Sequence, residues 1–185
     1  GRVVLQVSDL ARSRRFYEHV LGFRGIRSEA GTALLGAHMS ERPLLELRER
    51  AGTKPLGRRG KLGLFHFAIL LPDRASLGRF VAHLGEIGVH AGAGDHLVSE
   101  AFYLDDPEGN GVEVYYDRPA ETWQWTGEDV RITTDPLDIE DILREVSPQA
   151  SYPGAPEGLR IGHVHLRVGD VHEAERFYRD VIGLA

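Results

Sequence analysis

Short apolar runs alternate along this chain with stretches of helical period. Val3-Val4-Leu5-Gln6-Val7 reads as a strand, and after it Leu10, Phe16, Tyr17, Val20 and Leu21 recur near helical spacing. The same order returns at Phe67-Ala68-Ile69-Leu70-Leu71, followed by Leu77, Phe80, Val81 and Leu84. It starts a third time at Val164-His165-Leu166-Arg167-Val168. Each run leads to an aspartate (Asp9, Asp73, Asp170), and a phenylalanine (Phe16, Phe80, Phe177) stands seven residues later in every copy. Each aspartate can cap the helix that follows by accepting a bond from an orphan backbone N–H. Gly22, Gly88 and Gly183 fall where each helix should stop. Self-similarity of this kind governs every later reading.

After the helix, the first two copies return to strand patterns. In copy one these are 32–37 and 44–47, with Pro43 between them. In copy two they are 101–104 and 111–116, separated by the turn signal Asp106-Pro107-Glu108-Gly109-Asn110-Gly111. The predicted architecture is α+β, built from repeated βαβββ modules that must pair to bury a sheet face. The expected organisation is a first module at 1–58, a second at 59–117, a connecting segment at 118–160, and the start of a third module at 161–185. The connecting segment carries both tryptophans, several acidic residues and the run Ser151-Tyr152-Pro153-Gly154-Ala155-Pro156. One helix is expected there, over 136–146, capped by Asp135. The chain opens almost inside a strand without a methionine, and stops where copy three should turn into its sheet. The native protein is therefore expected to continue past Ala185.

Composition narrows the chemistry. A chain of 185 residues with formal charge -6 is acidic, which argues against nucleic acid or anionic lipid as the main partner. There is no cysteine, so any metal must be held by His, Asp or Glu, which suits iron(II), manganese(II) or zinc(II). No apolar run is long enough to cross a bilayer and no signal-peptide pattern is present, so a cytoplasmic location and no membrane partner are expected.

His66 and His163 each stand seven residues before the aspartate of their copy, so the repeat makes them equivalent. A lone strand histidine is usually just a hydrogen-bonded residue. Two at matching points of a repeat favour a pair of metal ligands. Copy one has Arg2 at that point, which stays protonated and cannot ligate. Glu113 lies in the alternating strand Val112-Glu113-Val114-Tyr115, which sets Glu113 and Tyr115 on the face opposite the two valines. That face is expected to line a cavity. Glu46 holds the matching place in copy one and is expected to pair with Arg2 rather than with a metal. Two imidazoles and a carboxylate form the ligand set of a non-haem iron(II) site with open positions. His96 and Tyr103 precede the carboxylate and could hydrogen-bond a bound catecholate and move protons. His165 shares a strand face with His163 and reads either as a supporting residue or as the alternative ligand. His19, His83 and His172 are expected on exposed helix faces, and Ala91-Gly92-Ala93-Gly94 reads as a glycine-rich loop.

These residues resemble the vicinal oxygen chelate superfamily, which includes glyoxalase I and the bleomycin-resistance proteins. The stretch from Gly94 to Glu113 is similar to the signature of extradiol ring-cleavage dioxygenases. The closest likeness is to four-module bacterial catechol 2,3-dioxygenases, of which the chain would span two modules and the start of a third. The resemblance implies a mononuclear iron(II) site, with manganese(II) as the alternative, held by His66, Glu113 and His163. It implies His96 and Tyr103 as catalytic residues touching substrate, a catechol or substituted catechol and O2 as the small-molecule partners, and a homo-oligomer. One departure stands out. In better-known members the ligands come from the third and fourth modules, whereas here the signature lies in copy two. The site would then form between modules two and three, and a further acid–base histidine would lie beyond Ala185. Two rival functions share the fold. One is a glyoxalase-like isomerase or lyase, which wants two histidines and two glutamates around zinc or nickel. The other is a metal-free small-molecule binding protein.

Overall fold

A computed structural model describes residues 1–55, 62–147 and 151–184. The expected boundary between residues 58 and 59, and Ala185, lie outside the described residues.

The first unit comprises β1 (Val3–Val7), α1 (Leu10–Arg15), β2 (Arg24–Glu29), β3 (Thr32–Gly36) and β4 (Leu45–Glu49). The second comprises β5 (Gly63–Leu70), α2 (Arg74–Glu86), β6 (Gly92–Asp95), β7 (Ser99–Asp105) and β8 (Gly111–Asp117). Their sheets share one topology, in the orders β1-β4-β3-β2 and β5-β8-β7-β6. In each, the first strand runs parallel to the last while the other pairs are antiparallel. After a short β9 (Trp125–Thr126) and β10 (Asp129–Val130) hairpin and α3 (Ile139–Arg144), the third copy supplies β11 (Arg160–Arg167) and α4 (Val171–Arg176).

All three repeated aspartates cap helices. Asp9 accepts from the Arg12 N–H, Asp73 from Ser76 and Asp170 from Glu173. Gly22, Gly88 and Gly183 adopt positive φ at the helix ends, a backbone region open to glycine at little cost. The helices α1 and α4 each pass into one π-helical turn, at Phe16–Val20 and Phe177–Val181, which the hydrophobic pattern does not reveal.

Both sheets bury their helix-bearing faces in one shared core. Leu5, Val7, Tyr17, Leu35 and Leu47 of the first unit meet Phe67, Ile69, Leu77, Phe80, Val112 and Val114 of the second. A buried polar contact joins them: the Tyr17 hydroxyl donates to Asp106 Oδ2 (2.7 Å) in the turn before β8. Arg12 also reaches Glu108 in that turn (2.8 Å).

Four expectations change. The segment 91–94 is largely strand, because β6 pairs antiparallel with β7 despite its two glycines. A further strand, β2, had no apolar signature. The helix expected over 136–146 is α3, shorter and capped by Asp138 through the Asp141 N–H, since Asp135 is instead engaged in a β-bridge to Asp95. His83 is half-buried rather than exposed: its ring stacks on Tyr152 at 4.7 Å and its Nε2 lies 2.9 Å from the His19 carbonyl.

Candidate metal centre

Strand β11 closes the site. It pairs antiparallel with the outer edge of β5, with Val164 opposite Phe67 and His165 opposite His66. Phe67 and Val164 each stand six residues before their repeated aspartate, so the two copies meet about a local two-fold axis. His66 and His163, one residue earlier in each copy, therefore flank that axis. Phe67 and Ile69 face the helix-side core, and strand alternation sends His66, Ala68 and Leu70 to the other face.

Strand β8 adds the carboxylate on the same face. Val112 and Val114 enter the core, while Glu113 and Tyr115 face away from it. The register sets Gly111 beside His66 and Glu113 beside Ala68. Glycine is required at 111, because a Cβ there would fall 2.9 Å from His66 Cβ and collide with the Phe65 carbonyl. That close approach brings Glu113 Oε2 to 2.9 Å from His66 Nε2 and 3.2 Å from His163 Nε2, and the two imidazole nitrogens to 3.2 Å of each other.

With Glu113 ionised, no assignment of protons satisfies all three edges of this triangle. If both imidazoles protonate Nε2, the carboxylate receives two bonds but two N–H groups face one another. If one gives up its proton, its lone pair opposes the carboxylate. A cation would accept all three lone pairs. Ion–donor bonds of about 2.1 Å at right angles hold donors about 3.0 Å apart, close to the spacings here. Two imidazoles and one carboxylate on one face also match the donor set of non-haem iron(II) sites. Among the described residues, no fourth His, Asp or Glu joins this group, whose ligand atoms lie within 4.8 Å of one another.

The triangle forms one wall of a cavity of about 790 Å³, which His96, Tyr103, Tyr115, Phe65 and His165 also line. Tyr103 on β7 lies directly opposite Glu113 in register. Its hydroxyl is 2.6 Å from His96 Nε2, and His96 Nδ1 is 2.6 Å from the Thr133 carbonyl. His165 stacks edge-on against His66 at 4.8 Å. It thus supports a ligand ring rather than joining the triangle.

Electrostatics follow from burial and from these neighbours. Burial alone would raise the Glu113 pKa, but hydrogen bonds from His163 and His66 outweigh it and hold the carboxyl down at about 2. Burial, then the Glu113 charge and a hydrogen bond to that carboxylate, raises the Tyr103 phenol above its ordinary value. Burial, with Asp117 and Glu113 nearby, pushes Tyr115 up to about 12. Burial and then the facing His66 and His163 lower His165. The site thus holds one fixed negative charge beside phenols that stay neutral, an arrangement suited to a cation.

The matching place in the first unit is filled differently. Glu46 on β4 is buried and paired with Arg2 (3.1 Å) and Arg48 (2.6 Å). The sequence reading missed a second contribution. Ile132 and Thr134, from what reads as a mere connection, line the cavity, and the Thr133 carbonyl holds His96. Their pattern of two apolar-or-small residues flanked by polar ones carries no signal above that of a loop.

With this geometry in place, the class is defined by comparison. The chain belongs to the glyoxalase/bleomycin resistance protein/dioxygenase superfamily, whose family model matches residues 1–114. Among individual relatives, it is 45% identical over 184 residues to a Bacillus subtilis (strain 168) protein named catechol-2,3-dioxygenase. That match covers 99% of this chain but only 64% of the relative's length. Solved structures share the fold at low identity. A Bacillus subtilis subsp. subtilis str. 168 protein provisionally described as a dioxygenase superposes with a TM-score of 0.61 at 16% identity, over 100% of this chain and 54% of its own. A glyoxalase/dioxygenase from Nostoc punctiforme gives 0.52 at 21% identity, over 64% of this chain and 90% of its own. No helix among the described residues is long and apolar enough to cross a membrane.

Proposed function

We propose that this chain carries the metal centre and substrate cavity of an extradiol dioxygenase, which opens the ring of catechol or a substituted catechol with O2. The observation that carries the reading is the triangle of His66, His163 and Glu113 facing the Tyr103–His96 pair across one cavity. The relative named catechol-2,3-dioxygenase supports it. His66, Glu113 and His163 would hold iron(II), or manganese(II) in its place. When bound, such a metal offers open positions to a diol and to O2 and carries electron density between them.

The chain's own residues do the rest. Glu113, ionised far below neutral pH, supplies a permanent negative charge that balances the ion. Phe65, Val98 and Ile132 present apolar surface on which the ring can pack. Tyr103 and His96 form a hydrogen-bonded pair at the position where a diol oxygen would sit beside Glu113, and so can orient that oxygen and hold its proton. The overall change balances without an external reductant. The bond between a hydroxyl-bearing carbon and the neighbouring ring carbon outside the diol breaks, and both atoms of O2 enter the product.

The test uses the full-length protein. It is loaded with iron(II) anaerobically, then given catechol and air. A yellow ring-opened semialdehyde is expected, lost together with bound iron in His66→Ala and Glu113→Ala. Bound iron without product would point to a different substrate or to glyoxalase-like chemistry. No bound metal would leave the binding-protein reading standing.

A further inference from the structure

The segment that follows β10 is tied to the site by an isolated β-bridge. Asp95 and Asp135 exchange both backbone bonds, N–H to carbonyl, at 2.9 Å each way. The Thr133 N–H points to the His96 carbonyl (3.4 Å), and the His96 N–H is tied to the Ser99 carbonyl (2.9 Å). Alternation along this segment turns Ile132 and Thr134 into the cavity and leaves the Thr133 carbonyl aimed at the His96 ring.

A second device fixes the loop from the other side. Arg118 donates to both oxygens of Asp95, at 2.6 and 2.8 Å, and to the Leu97 carbonyl (3.1 Å). Asp95 in turn accepts from the Leu97 N–H (2.8 Å), and Leu97 takes φ +67°, a region that costs a branched residue energy. Arg118 is itself anchored on the buried Glu100 (2.9 Å), which also receives Arg74. His96 therefore sits in a loop whose conformation is over-determined on both sides.

The consequence concerns the proton on the imidazole. A carbonyl oxygen can only accept, so His96 Nδ1, 2.6 Å from the Thr133 oxygen, carries the hydrogen. In the neutral ring Nε2 is then an acceptor that competes with Glu113, the other hydrogen-bond partner of the Tyr103 hydroxyl, for its single proton, and at 2.6 Å Nε2 takes it. We infer that the segment Ile132–Asp135 is a positioning strap that locks His96 in the Nδ1–H tautomer, so that Tyr103 spends its proton on His96 and presents only lone pairs to the cavity. Tyr103 then receives a hydrogen bond from a substrate hydroxyl, where a freely rotating phenol would as readily give one. Thr133, through its backbone, and Asp95 with Arg118 are positioning residues in this scheme. The inference rests on the dioxygenase reading only for what fills the cavity, since the tautomer belongs to the chain itself.

The experiment is a long-range proton–nitrogen NMR spectrum of the histidine rings. It is run on full-length, nitrogen-15-labelled protein with zinc(II) as a diamagnetic occupant, at a pH well above the ordinary imidazole range. His96→Gln identifies the His96 signals by their loss. The expected pattern is that of a protonated Nδ1 in the parent protein, unchanged in Tyr103→Phe, because the Thr133 carbonyl sets it. An Nε2–H pattern in the parent, or a switch to it in Tyr103→Phe, overturns the inference. Neither result depends on ring cleavage, so an inactive protein with the Nδ1–H pattern would sink the functional reading alone.

Discussion

Tyr17→Phe removes one hydroxyl and should weaken the union of the two units by a predictable amount. The phenol is fully buried, and its oxygen donates to Asp106 Oδ2 at 2.7 Å. That carboxylate has three other donors. Oδ1 accepts from the backbone N–H groups of Glu108 (2.9 Å) and Asn110 (2.8 Å), and Oδ2 also accepts from Asn110 Nδ2 (3.0 Å). Losing Tyr17 therefore does not strand a buried charge. It costs the net worth of one hydrogen bond to a charged group, about 1.5–3 kcal/mol. For a chain of 185 residues that corresponds to a fall in Tm of roughly 3–12 °C. Urea denaturation of the parent, Tyr17→Phe, Asp106→Asn and the double variant forms a cycle that isolates the coupling. The same contact has a pH signature. Burial first, then the Asp106 charge and hydrogen bond, raises the Tyr17 pKa in the folded state. A raised pKa means that stability is fully present below the unfolded phenol value of about 10 and is lost as pH rises above it. Tyr17→Phe should flatten part of that alkaline decline. A coupling under about 0.5 kcal/mol, or an unchanged alkaline slope, would refute the view that this bond joins the units.

Other expectations follow from the same structure. Gly111→Ala should push β8 off β5, costing about 1–3 kcal/mol and lowering metal affinity, seen by calorimetry and metal analysis; retained affinity would mean the close approach at His66 is dispensable. Asp95 is held below the usual carboxylate range chiefly by its hydrogen bonds from Arg118, so its contribution is present above the unfolded value of about 3.9 and fades as pH falls below it. Asp95→Asn should therefore shallow the acid limb of a stability–pH curve, and an identical limb would refute it. Glu46→Gln should leave metal content unchanged while Glu113→Gln abolishes it; loss of metal in both would mean the first unit takes part in the site.

Much of this was readable beforehand because the repeat constrains it. The aspartate caps, the glycine stops and the separation of Val112 and Val114 from Glu113 and Tyr115 all rest on local chemistry that survives folding. What escaped notice was settled by pairing. Strands β2 and β6 hold equivalent outer positions in their sheets, and an edge strand can be polar or glycine-rich because one side lacks a packed neighbour. Neither left an apolar trace. The contribution of residues 132–135 depends on contacts with β6 some forty positions earlier, which no local pattern encodes. The nearness of His66 and His163 lay between these extremes: equivalence was visible in the spacing, but the three-ångström meeting needed β11 to dock on β5.

The first unit keeps a buried glutamate where the second keeps Glu113, yet answers it with Arg2 and Arg48. A tethered guanidinium cannot be lost to a chelator or to scarcity. The counter-charge in one half is thus inherited with the gene, and in the other, on the proposed metal reading, must be collected from the surroundings. With the proposed metal site empty the two halves should age differently: the first retains its shape, while the second, left with a carboxylate and two imidazoles crowded together, becomes the place where the protein first loosens and is first reached by proteases.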